Sequence, residues 1–379
     1  MIYLCMLSFA LVFQSVPPLL SLIVAELHIS DAQAGLLMGL FALPGIFISI
    51  PGRLIADHFG TKKIGVISLI LMIIGTFVVG VSNSFLFMCF GRLISGIGGL
   101  TLAVVLPQLL SRWFIGKELG IGMGIFNTAM PLGTIASLNA LSIVGKSFGW
   151  HTSVFLTTIA CIFALLTFLL LFREPPTDTK KTINEAFTNV IKLGFPIWLV
   201  SIAWMCFNAA FISFLTFAPK FLAEKGYEVS SAGFISSIIM MGSLTLSPIV
   251  GYLMHKFGKE EVFIGVGGVV LAFLIFFVPT SSTVIPLFIL IGIFAALVPA
   301  PIFSLPPKIV ESKNLGLGFG ILTTCLNVGI LAGPYFAGLA KDSTGEYSLS
   351  FYLMSLFAVL QTVTIGLSKM RRRAHVFRE

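Results

Sequence analysis

The sequence predicts an all-α membrane protein of twelve transmembrane helices, arranged as two pseudo-symmetric six-helix bundles. Three observations carry that expectation. Hydrophobic residues make up 57% of the 379 residues and charged residues only 10%, with a mean hydropathy of +1.05. A soluble surface must be wetted, and a tenth of the residues cannot wet this much apolar material, whereas lipid accepts it. Uncharged runs of about 20 residues, the length that crosses a bilayer, recur along the whole chain. The cations cluster in the short connections between those runs.

The spans follow in order. The first lies within Met1–Ala25 and the second within Ala32–Gly52. The third runs from Ile64 to the Asn83–Ser84 turn, and the fourth from Phe85 to about Leu110. The fifth starts near Leu119 and ends before Lys146, and the sixth covers about Trp150 to Phe172. The longest polar stretch follows and reads as a linker, residues 173–192. The seventh span lies within Leu193–Pro219 and the eighth within Val229–Met254. The uncharged run Val262–Pro307 holds two more, separated at Pro279–Pro286. The last two fit Leu315–Ala340 and Tyr347–Ser368. The expected organisation is a first bundle over 1–172, the linker 173–192, a second bundle over 193–370 and a basic tail over 371–379.

Placing Met1 in the cytoplasm puts at least seventeen Lys and Arg residues on that side. Only Lys146, Lys220, Lys225 and Lys341 are then left in the opposite loops. By the positive-inside rule both termini are cytoplasmic, in an inner (plasma) membrane. The net charge of +8 is thereby a matter of topology, and no nucleic-acid partner is expected. The five cysteines lie in apolar stretches without metal spacing, and neither metal nor cofactor is expected. The apolar first segment is too long for the h-region of a cleaved leader and reads as a retained helix.

Two internal matches point to duplicated halves. Gly120-Ile-Gly-Met-Gly124 opens the fifth helix and Gly316-Leu-Gly-Phe-Gly320 the eleventh, 196 residues on. His58-Phe-Gly60 and Lys256-Phe-Gly258 follow the second and eighth helices, 198 residues apart.

The loop Gly52-Arg-Leu-Ile-Ala-Asp57-His-Phe-Gly60-Thr-Lys62-Lys63 resembles the helix 2–3 loop motif of the major facilitator superfamily, with one extra residue between Gly52 and Asp57. Arg92-Leu-Ile-Ser95-Gly96-Ile-Gly98 resembles that superfamily's helix 4 motif, with Ser95 where Gln is usual. Arg112-Trp-Phe-Ile-Gly-Lys-Glu-Leu-Gly120 and Gly149-Trp-His151 also resemble its patterns, and the resemblance covers the whole chain. Within the superfamily the chain is most similar to the cyanate and nitrate porter branches. It departs from the nitrate pattern in having no arginine within the membrane portion of the eighth helix.

The resemblance implies a secondary transporter that moves a small solute, with or without a coupling ion, by rocking of its halves. The expected unit is a monomer in the lipid bilayer. An exporter of small hydrophobic compounds, or a non-transporting receptor or scaffold of the same fold, is the alternative. No G-x-x-x-x-G-K-[ST] is present to drive transport with nucleotide, and no catalytic motif suggests an enzyme. Asp57, Gly60, Lys62, Lys63 and Arg112, at helix ends, are expected to bias the conformational equilibrium.

Arg92 lies about 10 Å along its helix from Phe85. It is either a ligand for a small organic or inorganic anion or a packing residue bonded to backbone carbonyls. Gln14, Asn127, Trp204, Asn208, Thr323 and Asn327 are the other candidate solute contacts, since the resemblance places their helices around a central cavity. Pro17-Pro18, just after Gln14, should disturb the first helix and free carbonyls.

Overall fold

The computed structural model describes residues 1–49, 60–114, 117–173, 194–311 and 314–376. It is all-helical among those residues, with twelve helices long and apolar enough to cross a membrane. In chain order these are α1 (Ile2–Leu27), α2 (Asp31–Ile48), α3 (Thr61–Val81), α4 (Phe85–Trp113), α5 (Glu118–Phe148) and α6 (Trp150–Leu171). The second half supplies α7 (Phe195–Glu224), α8 (Val229–Met254), α9 (Glu260–Phe277), α10 (Val284–Ser304), α11 (Leu315–Thr344) and α12 (Ser348–Arg371). Twelve crossings put both termini on one face, here called the terminal face; the opposite one is the far face. Asp57, residues 174–192 of the linker and the tail residues 377–379 lie outside the described residues.

Several spans are interrupted where the sequence removes a backbone donor. Pro17 and Pro18 cannot donate to the carbonyls four residues back. The helix stops at Phe13, and a 3-10 turn over Pro17–Leu19 leads into Leu20–Leu27. The α2 helix breaks at Phe41–Ala42, just before Pro44. The α5 helix breaks at Thr128 and carries a π turn over Ser137–Leu141.

Two helices run further than their apolar patterns. The α7 helix continues through Pro219 to Glu224, and α11 continues to Thr344. Lys220 and Lys341 are therefore on helices and not in outer loops, and Lys146 likewise sits in the last turn of α5.

The halves meet mainly toward the far face. The Pro17–Leu27 part of α1 packs on α7, α2 packs on α11, and the Ala129–Phe148 part of α5 packs on α8. The α2–α11 seam is backbone against backbone. A Cβ at Gly39 would lie 2.6 Å from the Leu331 carbonyl oxygen, and one at Gly35 or Gly338 would overlap the Pro334 or Asp31 carbonyl. Glycine permits this close approach in a membrane. Toward the terminal face the α5 segment Lys117–Asn127 packs within its own half, on α4 and α1. A Cβ at Gly120 or Gly124 there, or at Gly251 on α8, would meet open space. The molecule is thus sealed at the far face and parted between α5 and α8 at the terminal face.

Candidate functional site

Arg92 sits where two helix breaks face each other. Its Nε donates to the Leu37 carbonyl at 3.0 Å, and Nη1 donates to Val12 O at 2.9 Å and Ser15 Oγ at 3.5 Å. Nη2 donates to Phe13 O at 3.2 Å and Met38 O at 3.5 Å. Phe13 O is the carbonyl that Pro17 leaves without a donor. The next one, Gln14 O, is taken by the Ser137 hydroxyl at 2.6 Å. Met38 O is free because the Ala42 N–H turns to Gly39 instead. The guanidinium also lies 4.8 Å from the Phe41 ring centre. All five donors are occupied and the residue is 1% exposed. In this conformation Arg92 joins α1, α2 and α4 through backbone carbonyls.

At the far face a charged cluster ties the halves together. Lys220 on α7 pairs with Asp31 at the start of α2, both largely buried, and lies 3.5 Å from Glu224. Lys341 on α11 is 3.1 Å from Glu224, and the Tyr347 hydroxyl donates to Glu224 at 3.4 Å. Burial pushes the Tyr347 phenol well above its ordinary range, and Asp31, Glu224 and Asp342 add to the effect, so Tyr347 stays a donor. Across the α5–α8 seam Lys146 meets Glu228 at 2.7 Å. The hydrogen bond and charge of Lys146 hold the exposed Glu228 carboxyl below the usual range. Sequence reasoning missed this cluster. Its signal was the position of Lys146, Lys220 and Lys341, each within a few residues of a span end with acids on the same side.

The remaining candidates separate by depth and partner. Gln14, 1% exposed, lies at the α1 break with its Oε1 unpartnered. Asn208 donates to Trp204 O at 2.8 Å, and Thr323 to Phe319 O at 2.8 Å. Asn327 donates to Thr323 O at 2.9 Å and, across the halves, to Ser49 Oγ at 3.2 Å, while its Oδ1 has no partner. Trp204 is buried with its Nε1 unpartnered. The structure brings Trp204, Asn208, Thr323 and Asn327 together on the adjacent helices α7 and α11. Asn127, by contrast, is exposed beside the α5 break. Of the expected gating residues, Gly60 opens α3 with φ of 87°, and Lys62 lies over the Phe172 ring at 5.6 Å. Lys63 is exposed, and Arg112 lies in the last turn of α4.

Comparison with known proteins gives a consistent picture. The profile described as Major Facilitator Superfamily matches residues 2–308 and 262–376. The lysosomal dipeptide transporter MFSD1 of Homo sapiens is 25% identical over 360 residues, covering 87% of this chain and 76% of that protein. The nitrite extrusion protein of Bacillus subtilis (strain 168) is 23% identical over 359 residues, covering 94% and 90%. Among solved structures, a bacterial homolog of the human lysosomal transporter Spinster, inward-facing and occupied, superposes with a TM-score of 0.78 at 17% identity, covering 98% of this chain and 96% of that one. The nucleoside transporter NupG gives 0.79 at 15% identity, covering 97% and 98%.

Proposed function

The chain belongs to the major facilitator superfamily, whose relatives here are membrane transporters and not enzymes, and on that premise we propose that it moves a small solute by alternating access. The observation that carries the reading is the one-sided closure: charged pairs and close helix seams at the far face, parted helices at the terminal face. A rocking motion of the halves exchanges these two arrangements. Buried polar groups near mid-membrane, Gln14 on α1, Trp204 and Asn208 on α7, and Asn327 on α11, supply hydrogen bonds for a solute between the halves. The cation bias makes the terminal face cytoplasmic, so the present state opens inward. With Arg92 occupied by carbonyls, an anion finds no free fixed cation there. The relatives named for dipeptide transport and nitrite extrusion supply the first solutes to test. Counterflow in proteoliposomes decides the matter: a preloaded solute should drive uptake of its labelled form, and failure of every solute class to exchange would refute the reading.

A further inference from the structure

Four side-chain atoms on α7 and α11 are buried without a hydrogen-bond partner: Ser201 Oγ, Trp204 Nε1, Thr324 Oγ1 and Asn327 Oδ1. The two helices run side by side in a fixed register. A Cβ on Gly329 would overlap the Met205 carbonyl, and one on Gly333 the Ala209 carbonyl. That register sets Ser201 level with Thr324 and Leu326, and Trp204 level with Asn327 and Val328. All four atoms therefore share one band of depth, and Ser201, Trp204 and Asn327 are 0%, 6% and 1% exposed.

Such atoms are costly in a bilayer, where no water satisfies them. Hydroxyls elsewhere on these helices bond to the carbonyl four residues back, as Ser213, Thr216 and Thr323 do; Ser201 and Thr324 do not. Native interiors leave few polar groups unpaired, and those few point to strain or to an occupant.

Beside Trp204 stands a wall of rings. Trp204 lies flat on Phe207 at 5.3 Å and 6°, and Phe207 on Phe211 at 5.3 Å and 14°. The Trp204 edge meets Phe303 of α10 at 5.5 Å and 74°, and Phe303 stacks on Phe319 of α11 at 6.4 Å. Phe303 is 44% exposed and marks the open edge of this wall. No Asp, Glu, Lys or Arg occurs in 195–219, 284–304 or 315–340. A solute at this depth on these three helices meets rings and neutral hydrogen-bonding atoms, with no counter-charge.

We propose that α7, α10 and α11 form a site for an uncharged solute carrying a flat ring. Its ring rests against the Trp204–Phe303–Phe319 wall, and its polar edge accepts from Trp204 Nε1 and donates to Asn327 Oδ1. The proposal rests on the transporter reading and adds the class of solute. A net charge would enter without a partner and lose its hydration. An uncharged edge with one acceptor and one donor satisfies two of the four, Trp204 Nε1 and Asn327 Oδ1.

The test uses the full chain in detergent and two sets of ring compounds matched in shape but not in charge: nicotinamide, nicotinate and 1-methylnicotinamide, then uracil and orotate. Binding is read by equilibrium dialysis. At least one uncharged member should bind about tenfold or more tighter than its charged counterparts, the discrimination expected of one uncompensated hydrogen bond or charge. Trp204→Phe keeps a ring, loses the N–H and should weaken that binding about tenfold. Asn327→Asp should turn the preference toward 1-methylnicotinamide; should that variant not fold, Asn327→Leu should weaken nicotinamide about tenfold. A charged member binding tighter in both sets, or no member of either set binding, overturns the proposal. Counterflow of a ringless solute, measured in parallel, keeps the two readings apart: exchange there without ring binding defeats the site and leaves the transporter intact.

Discussion

Asp342, near the end of α11, accepts the Asp31 and Ala32 N–H groups at 2.8 Å each, so a carboxylate of the second half completes the first turn of a helix in the first half. A helix N-terminus leaves four N–H groups without intrahelical acceptors and favours negative charge. Ser30 takes the Gln33 N–H, and its own N–H goes to Gln33 Oε1; Asp342 supplies the acceptor for the two groups that remain. Parting the halves at the far face hands those two groups to water.

Asp342→Ala should therefore favour the far-face-open state by about 1 kcal/mol, roughly a fivefold population shift. Spin labels at the exposed Phe148 and Tyr227, at the far-face ends of α5 and α8, would report a larger long-distance fraction. An unchanged distance distribution would remove Asp342 from the lock.

Lys220→Met should cost about 3 kcal/mol of stability, because it leaves the buried Asp31 carboxylate uncompensated. The double variant Lys220→Met with Asp31→Asn should regain most of that loss. Thermal unfolding in detergent measures both, and a double variant no better than the single one would mean that burial there is incomplete.

Arg92→Gln should lower stability by about 3 kcal/mol, since several carbonyls lose their donor at once. Arg92→Lys should recover only part, because an ammonium cannot span the positions of the planar fork. Pro17→Ala restores a backbone donor for Phe13 O and should reduce the penalty of Arg92→Gln. Additive effects of the two changes in a double-mutant cycle would show that the carbonyls of α1 are not what Arg92 serves.

Single cysteines at Lys180 and Lys225 should label from opposite sides of intact cells with an impermeant thiol reagent, Lys225 from outside. Labelling of Lys180 from outside would reverse the assigned topology and, with it, the direction in which the present state opens.

The spans were legible because lipid demands long uncharged runs, and the duplicated motifs showed the two halves. What the sequence hid was where helices stop. Pro219 looked like an end, yet only one backbone donor is lost there, and the helix carries Lys220 across to Asp31. Charges so placed read as loop residues until helix ends are fixed to within a turn. Arg92 was visible as an intramembrane cation, and Pro17-Pro18 as a source of free carbonyls. That the two features answer one another is a relation across 75 residues of chain, set by helix packing and not by local pattern. Trp204 and Asn327 were legible as polar groups at depth; which of their atoms lack partners was not.

The glycine seam between α2 and α11 has a kinetic consequence. Where helices mesh through large side chains, separation requires each knob to leave its hole, and rotamers must change on the way. At Gly35, Gly39 and Gly338 two smooth backbones lie against each other, so the surfaces can slide and lift apart like the faces of a plain bearing. A single methyl on this surface would act as grit: at Gly35 it would collide with Pro334 O, hold the seam ajar and leave the far face leaking before any solute arrived.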